Sequence, residues 1–274
     1  MGAKAVKDIV VTGAFGGMGY ATVRALAKRG YRVFALDKKT ASAEHGVVPI
    51  ETDVTSGESV ERAYETVKTY TDKLYAVIHF AGIYMLDSLV EMDEEAFCRI
   101  FDINLTGVYR INKAFMPMLE RGSRILITTS ELAPLDPLPF TGIYAVTKGA
   151  LDKYAYSLRM ELQLLGISVS VLRAGAVDTG MLGASTDALD RFCENTELYT
   201  CNAERFKRIV DGVEARRIKP ERLAGKALSV IEKKRPAFAY SINRNPLLLL
   251  LNILPKRVQL FAIRAVLKTK GEKK

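Results

Sequence analysis

A tyrosine and a lysine four residues apart, Tyr144 and Lys148, form the pair in this 274-residue chain with the clearest chemical potential. They begin a segment of apolar periodicity that predicts a helix, so their side chains would share one face. A phenol keeps its proton far above neutral pH, but a neighbouring ammonium favours the phenolate and brings the group towards a working acid/base. The pair could therefore move a proton on or off an alcohol, although this spacing is also common on helices that have no chemical role.

A serine upstream of this pair stands at the end of a short β-branched run. Residues 125–128 are Ile-Leu-Ile-Thr, which predicts a buried strand that ends near Ser130. A hydroxyl at a strand end faces a crevice, where Ser130 could hold a substrate oxygen beside Tyr144. Thr129 is the alternative hydroxyl, but successive side chains on a strand point to opposite faces, so Ser130 is preferred.

A glycine-rich turn near the N-terminus predicts a dinucleotide site. A strand predicted over 8–12 leads into this turn, and a helix is predicted over 20–29. Glycines here let the backbone turn tightly and approach a pyrophosphate, whose charge the helix N-terminus favours. Strand, turn and helix fall in the order that such a site needs. The turn positions predicted to border the cofactor are Gly13, Phe15, Gly17, Met18 and Gly19.

Acidic residues follow two further predicted strands. Asp37 could accept hydrogen bonds from the adenosine ribose hydroxyls and would repel a 2′-phosphate, which favours NAD(H) over NADP(H). Lys38 and Lys39 slightly favour NADP(H), because their ammonium groups could contact a phosphate. Asp53 could bond the adenine amine, and Val54 could contribute a backbone group.

Strands and helices alternate along the chain with short connections. This alternation predicts an α/β fold, a single-domain Rossmann-like doubly wound parallel sheet with helices on both faces. Without a linker or an internal repeat, one domain is expected over 1–244, followed by an apolar and basic extension over 245–274. Besides the strands at 8–12 and 125–128, strands are predicted over 31–36, 47–51, 74–80, 167–172 and 237–242.

Two polar residues inside predicted elements need an explanation. Asn104 lies within a helical pattern over 93–120 that is predicted to contain a break, and an amide there is poorly placed unless it organises a water or opens the helix. His79 lies inside the strand predicted over 74–80. A core histidine satisfied by the backbone is preferred over a catalytic one at that position.

Composition excludes several classes of site. The three cysteines, Cys98, Cys193 and Cys201, together with two histidines, supply neither a disulfide framework nor a metal-ligand cluster. Cys193 and Cys201 could pair in principle, but reduced thiols are expected. The first residues lack a secretory apolar region, so a cytoplasmic location is expected.

The net charge of +9 is concentrated late in the chain, where bases from Lys226 onward far outnumber Glu232 and Glu272. These bases alternate with leucines rather than with base-stacking aromatics, which favours a membrane surface over nucleic acid. The apolar run at 247–251 is far too short to cross a bilayer. Residues 256–268 suit a helix on an anionic surface, and packing on the protein or in a subunit interface is an equal alternative.

Together these pieces resemble the non-extended branch of the short-chain dehydrogenase/reductase family over residues 8–235. Thr12-Gly13-x-x-x-Gly17-x-Gly19 matches its cofactor turn, and Ala81-Gly82 matches the end of its Asn-Asn-Ala-Gly motif. Its catalytic tetrad is matched by Asn104, Ser130, Tyr144 and Lys148.

The resemblance implies a role for each matched residue. Tyr144 would be the general acid/base, and Ser130 would orient the substrate oxygen. Lys148 would lower the tyrosine pKa and bond the nicotinamide ribose, and Asn104 would support a water relay. The cofactor would also contact Ala81, Gly82, Asn104, Tyr144, Lys148, Val177 and Thr179, the last two holding the carboxamide.

The chain departs from the family pattern at three places. His79-Phe80 replaces the paired asparagines, so the usual bracing of that strand must be met differently. Ala174 replaces the proline of a Pro-Gly motif. The interval between Ser130 and Tyr144 is one residue longer than the commonest one.

The resemblance also implies a substrate lid over 180–218, with aromatics Phe192, Tyr199 and Phe206. The other side of the pocket would be apolar and would suit a hydrophobic alcohol or ketone over a sugar. The tail is similar to those of retinol and hydroxysteroid dehydrogenases, which favours a steroid-like molecule. The apolar side is predicted to consist of Leu132, Leu135, Leu138 and Phe140.

The leading prediction is an NAD(H)-dependent oxidoreductase that interconverts a secondary alcohol and a ketone on a lipophilic substrate. A reductase of acyl-carrier ketones is the alternative within the enzyme class. A non-catalytic, NAD(H)-sensing protein of the membrane surface is the alternative outside it. Family members are often dimers or tetramers, so a homo-oligomer is expected, with no nucleic-acid partner.

Overall fold

The computed structural model describes residues 6–214 and 216–268, and these form one seven-stranded parallel sheet. Its spatial order is β3-β2-β1-β4-β5-β6-β7, which confirms the predicted doubly wound architecture. The order reverses between β1 and β4, so their carboxyl ends border the crevice where such sheets bind ligands. The strands are β1 (Asp8–Thr12), β2 (Arg32–Asp37), β3 (Val47–Glu51), β4 (Leu74–His79), β5 (Leu119–Ser130), β6 (Ser168–Ala174) and β7 (Ala239–Ile242).

Ten α-helices are present in the same described ranges, and most return the chain from one strand to the next. They are α1 (Gly17–Lys28), α2 (Gly57–Lys68), α3 (Glu94–Phe101), α4 (Gly107–Phe115), α5 (Gly142–Leu162), α6 (Gly180–Asn195), α7 (Thr200–Glu214), α8 (Pro220–Glu232), α9 (Pro246–Ile253) and α10 (Lys256–Leu267). The residues 1–5 that suggested a cytoplasmic location, and the basic positions 270, 273 and 274, lie outside the described residues.

The two faces of the sheet bury two separate apolar clusters. Successive residues of β1 alternate between them, with Val10 in one cluster and Ile9 and Val11 in the other. Helices α2, α4 and α5 cover the first face, and α1 and α8 cover the second. This burial on both sides explains why β1 is a continuous apolar run.

The prediction of helix over 93–120 is wrong at its end and confirmed at its break. Leu119 already belongs to β5, where it pairs with Leu74 before the register shifts by a bulge. Gly122 follows with φ of 98°, a conformation that favours glycine. The break in the helical pattern is a π-helical turn over Asp102–Thr106, between α3 and α4.

The predicted lid consists of α6 and α7, and a third apolar cluster joins it to the C-terminal helices. Phe192 and Phe206 from the lid are buried there with Leu267 of α10. Cys193, which could in principle have paired with Cys201, is a free thiol. Over the described residues, every helix is too short or too polar to reach across a lipid bilayer.

Candidate active site

Ser130 and Tyr144 meet at the carboxyl edge of the sheet. Ser130 is the last residue of β5, and Tyr144 lies in the first turn of α5. Both residues line a cavity of about 190 Å³, and the Ser130 hydroxyl is near enough to the phenol to influence its pKa. Thr129 instead donates from Oγ1 to Asp152 Oδ1 at 3.4 Å. Thr129 also lines this cavity, but its hydroxyl is engaged by Asp152, so Ser130 remains the hydroxyl available to a substrate beside the phenol.

The protonation of Tyr144 and Lys148 differs from the expectation that the lysine makes the phenol acidic. Burial raises the pKa of Tyr144 to about 12, and the hydrogen bond with Ser130 opposes this shift. Burial also lowers the pKa of Lys148 to about 8. Lys148 Nζ lies 5.7 Å from the centre of the Tyr144 ring. Removal from water, which penalises both charged forms, therefore dominates the pKa shifts of both groups.

Asn104 lies in the π-helical turn with its amide fully buried, and its side chain has a definite task. Its Oδ1 accepts from the backbone N–H of Ile83 at 2.8 Å, and its Nδ2 donates to Ile83 O at 3.0 Å. Nδ2 also donates to Thr147 Oγ1 at 3.2 Å, which ties this turn to α5. The helix is opened locally at Asn104, one of the two tasks predicted for it, and its side chain also fixes the segment that follows β4.

The glycine turn after β1 requires small residues at specific points. Gly13 has φ of 63°, and a Cβ there would lie 2.5 Å from the backbone nitrogen of Ala81. A Cβ at Gly17 would lie 2.6 Å from Thr179 Cγ2. The turn is further held by Asp37, whose Oδ2 accepts from the Phe15 N–H at 2.9 Å. Side chains at Gly13 and Gly17 would therefore fill the space between β1, β4 and the lid.

A second cavity, of about 710 Å³, lies along this turn and is large enough for a dinucleotide. Helix α1 begins at its wall with Gly16 as N-cap, without a capping side chain and without an acidic residue in the first turn. Its first N–H groups can therefore receive a pyrophosphate. The predicted cofactor residues that line this cavity are Gly13, Phe15, Gly17, Met18, Gly19, Asp37, Val54, Ala81, Gly82 and Thr179.

The remaining predicted cofactor residues, Asp53, Asn104, Tyr144, Lys148 and Val177, do not line this cavity. The carboxylate of Asp53 instead pairs with Lys38 at 2.9 Å and accepts from Thr55, between Thr52 and Val54, which do line it. Val177 lines the smaller cavity beside Tyr144, and Thr179 lines both cavities.

His79 is not satisfied by the backbone as predicted. Its Nε2 lies 2.9 Å from Asn112 Oδ1, and Asn112 Nδ2 donates to the Tyr154 hydroxyl at 3.2 Å. Its Nδ1 is buried without a hydrogen-bond partner in the described part of the chain. Burial lowers the pKa of His79 to about 4, which the Asn112 hydrogen bond opposes. These side-chain hydrogen bonds connect β4 to α4 and α5, at the position where the family has paired asparagines.

The smaller cavity is apolar, but its walls differ in part from the prediction. Leu132 and Leu138 line it as expected, whereas Leu135 does not. Phe140 has φ of 64° and turns away into the lid cluster, with its ring centre 4.5 Å from that of Phe192. The lid contributes Phe206, Ile209 and Val210 to the walls, and α9 contributes Leu248.

Two residues of the site escaped the sequence analysis. Tyr84 lines both cavities, and its ring centre lies 4.7 Å from that of Tyr144. Its only signal in the sequence is its position two residues after Gly82. Glu131, directly after Ser130, lines the smaller cavity and accepts from the Asn245 N–H at 2.6 Å. Burial raises the pKa of this carboxyl, which the Asn245 hydrogen bond opposes.

Comparisons with known proteins agree with this geometry. The family model for short chain dehydrogenases matches residues 7–190. Estradiol 17-beta-dehydrogenase 2 of Mus musculus is 32% identical over 199 residues, which cover 68% of this chain but only 51% of the mouse protein. The chain thus spans about half the length of that relative. The 3-oxoacyl-(acyl-carrier-protein) reductase MabA of Mycobacterium avium is 29% identical over 200 residues, 73% of this chain and 76% of the relative.

A solved structure shares the fold. The 3-ketoacyl-(acyl-carrier-protein) reductase of Brucella melitensis, complexed with NADH, superposes with a TM-score of 0.70. The match covers 86% of this chain and 96% of that one at 22% sequence identity. At this identity the likeness extends to the arrangement of the sheet and helices alone.

Proposed function

Because the chain belongs to the short-chain dehydrogenase/reductase family, we propose that it is an NAD(H)-dependent oxidoreductase that interconverts a secondary alcohol and a ketone on a lipophilic substrate. The observation that carries this proposal is that Ser130 and Tyr144 line the same apolar cavity. That cavity shares Met18, Tyr84 and Thr179 with the dinucleotide-sized cavity. A carbonyl bound beside Tyr144 would therefore lie next to the cofactor.

Tyr144 is the proton donor and acceptor in this proposal. In the direction of reduction, Ser130 donates a hydrogen bond to the carbonyl oxygen while the Tyr144 hydroxyl gives up its proton to that oxygen. In oxidation the phenolate takes the proton from the alcohol. When bound, the cofactor supplies or accepts the hydride at the substrate carbon.

Lys148 and Asn104 support this proton transfer without themselves contacting the substrate. Lys148 is buried, and its lowered pKa of about 8 lets it exchange a proton near neutral pH. Gly82 leaves room in front of it, since a Cβ there would lie 3.5 Å from Lys148 Nζ. The same Cβ would lie 3.1 Å from Asn104 Oδ1, so both polar groups border one narrow space next to the cofactor cavity. We assign Lys148 to the ribose and Asn104 to the passage of the proton towards solvent.

The preference for NAD(H) rests on Asp37, which lines the larger cavity at the end of β2. A carboxylate there repels a 2′-phosphate and accepts from ribose hydroxyls. The positive charge of Lys38 is already paired with Asp53. Lys39 is the other lysine that follows Asp37. Asp37→Ser should remove about 1.4 kcal/mol of repulsion between the carboxylate and a 2′-phosphate, which shifts the cofactor preference towards NADPH by roughly tenfold.

The lipophilic substrate is inferred from the walls of the smaller cavity. Leu138, Phe206 and Leu248 leave an apolar volume with polar groups concentrated at Ser130, Glu131 and Tyr144. A steroid-like alcohol or ketone fits this distribution, in keeping with the mouse relative named for estradiol. A ketoacyl-type substrate is the second candidate, favoured by the likeness to the mycobacterial 3-oxoacyl reductase.

The test is a panel of hydroxysteroids, retinol, simple alcohols and ketoacyl thioesters, followed by nicotinamide absorbance with NAD(H) and NADP(H) in parallel. We expect turnover with a hydroxysteroid or a similar lipophilic alcohol and NAD. Tyr144→Phe should abolish it while the Kd for NADH changes less than about twofold. Turnover of thioesters with NADPH would favour the ketoacyl candidate. NADH binding without turnover of any compound would favour a cofactor-sensing protein instead.

A further inference from the structure

Helices α9 and α10 expose an unusual number of large apolar side chains. On α9, Leu247, Leu250 and Ile253 recur every three residues and are 64%, 60% and 80% exposed. On α10, Leu260 and Phe261 are 69% and 73% exposed. We call these five residues the tail face. Patches of this kind mark interaction surfaces more often than isolated exposed leucines do.

The tail face lies in a strongly basic part of the chain. From residue 233 to residue 268 the sequence has no acidic residue. The same stretch carries eight basic residues, namely Lys233, Lys234, Arg235, Arg244, Lys256, Arg257, Arg264 and Lys268. The partner of the tail face must therefore tolerate, or supply, negative charge.

On α10 the apolar and basic residues share one side of the helix. Arg257, Arg264 and Lys268 are exposed and lie three to eight residues from Leu260 and Phe261, at spacings that place them on the same side. This combination of exposed apolar and cationic side chains is typical of a helix that lies in a lipid–water interface.

The opposite sides of both helices are fixed to the protein. Gln259 and Leu267 are buried, and Asn202 Nδ2 donates to Leu267 O at 2.8 Å. Asn252 Oδ1 accepts from the Asp136 N–H at 2.6 Å, which attaches α9 to the loop after β5. The tail face therefore belongs to a packed element and is not a loose terminus.

We propose that the tail face, with Arg257, Arg264 and Lys268, binds the surface of a bilayer that contains anionic lipids. A second copy of this chain is a poorer partner, because a two-fold contact would bring two acid-free basic segments together. Nucleic acid would match the charge but would leave the leucines without an apolar environment.

The position of α9 gives this surface a further consequence, which rests on the proposed function. Leu248 lines the substrate cavity, while Leu247 and Leu250 on the same helix are exposed. A membrane bound at the tail face would therefore lie next to a wall of that cavity. A lipophilic substrate could then enter from the bilayer without crossing water.

The test is co-sedimentation of the full chain with phosphatidylcholine vesicles, with and without phosphatidylserine, at low and high salt. We expect binding only with phosphatidylserine, and loss of binding at high salt. Leu260→Glu/Phe261→Glu should lower the partition coefficient by roughly tenfold or more. Arg257→Gln/Arg264→Gln/Lys268→Gln should lower it on the order of a hundredfold.

Matched controls change the same residue types elsewhere. Leu164→Glu/Leu165→Glu alters residues that are 79% and 55% exposed between α5 and the start of β6, near the amino ends of the strands. A triple change of exposed lysines to glutamine on α1, α2 and α4 removes the same charge at Lys28, Lys68 and Lys113. Both control proteins should sediment like the unaltered chain. Deletion of 245–274 is unsuitable, because it removes Leu248 from the cavity.

The proposal is overturned if phosphatidylserine fails to increase sedimentation, or if the controls lose binding as strongly as the tail-face variants. It is also overturned if light scattering shows that Leu260→Glu/Phe261→Glu only dissociates an oligomer. Turnover of the compound panel is followed in parallel. Vesicle binding without turnover of any compound would refute the proposed function and leave the lipid-binding surface standing.

Discussion

The two cavities that meet at Tyr84 are built from different parts of the chain. The larger one, assigned to the cofactor, is bordered by the glycine turn after β1 and by the ends of β2 and β4. The smaller one, assigned to the substrate, is bordered by side chains from the loop after β5, from α7 and from α9. Backbone at the strand ends therefore forms much of the first, whereas in the second, side chains from separate helices and loops cover the ends of β5 and β6.

This difference predicts different responses to substitution. The walls of the cofactor cavity are also sheet structure, so changes there should affect stability and cofactor binding together. The walls of the substrate cavity can vary without disturbing the sheet, so changes there should alter KM and leave the Kd for NADH unchanged. The residues shared by both cavities are Met18, Tyr84 and Thr179.

The largest effect is expected at Lys148, where stability and activity should change in opposite directions. Lys148→Met should lower kcat about a thousandfold, since it removes the buried amine that we assign to the cofactor ribose, beside Tyr144. The folded-state pKa of about 8 lies below the unfolded value of 10.5, so the unfolded chain binds more protons between these values. Below pH 8 burial of the ammonium thus costs about 3 kcal/mol, which the methionine avoids.

Urea unfolding of Lys148→Met and the unaltered chain, at a series of pH values, measures this cost. The gain in unfolding free energy should be complete at pH 7 and should vanish as the pH rises above 10.5. Lys153→Met, on the same helix, is the control and should show neither effect. A Lys148→Met protein that is less stable at neutral pH would contradict the assignment.

A smaller but still large effect is expected in the cofactor cavity at Gly13. Alanine there would occupy φ of 63° and place Cβ 2.5 Å from the backbone of Ala81. We expect Gly13→Ala to lower the unfolding free energy by roughly 3–5 kcal/mol and to weaken NADH binding as well. Gly16→Ala is the control, since its Cβ would approach nothing closer than 3.5 Å. Equal denaturation midpoints for the two variants would contradict the close approach of the Gly13 turn to the end of β4.

The same difference explains how much the sequence could predict. The cofactor turn depends on local spacing, so Gly13, Gly17 and Asp37 were identified from residue type and order alone. The substrate cavity depends on contacts between distant segments, as between Glu131 and Asn245. No local pattern encodes such contacts, which is why Leu248 and Tyr84 were missed.

Two wrong expectations have a similar origin. Phe140 was predicted to line the cavity, but a left-handed backbone turns it into a cluster with lid residues that lie more than fifty positions away. The phenol was predicted to be acidified by Lys148, but the distance between Tyr144 and Lys148 along the sequence does not show how deeply the two side chains are buried. The pKa values reflect removal from water by the whole fold.

Acid should destabilise the cofactor side of the molecule through His79. Its folded-state pKa of about 4 lies below the unfolded value of 6.5, so the unfolded chain binds more protons in this interval. Stability is therefore complete above pH 6.5 and falls by up to about 3 kcal/mol as the pH is lowered to 4. His79→Asn should remove this part of the pH dependence. Amide exchange of β4 in both proteins measures it, and an unchanged acid limb would exclude His79 as its source.

The smallest effect is expected at Leu248, on the substrate side. Leu248→Ala should raise KM for a lipophilic substrate by about fivefold, because roughly 1 kcal/mol of apolar contact is lost from a partly buried side chain. The Kd for NADH and kcat with a small water-soluble ketone should stay within about twofold, since Leu248 does not border the cofactor cavity. Leu250→Ala on the same helix is the control, because its side chain is 60% exposed and lies outside both cavities. An equal rise in KM for both variants would place the substrate elsewhere and would leave α9 without a part in its binding.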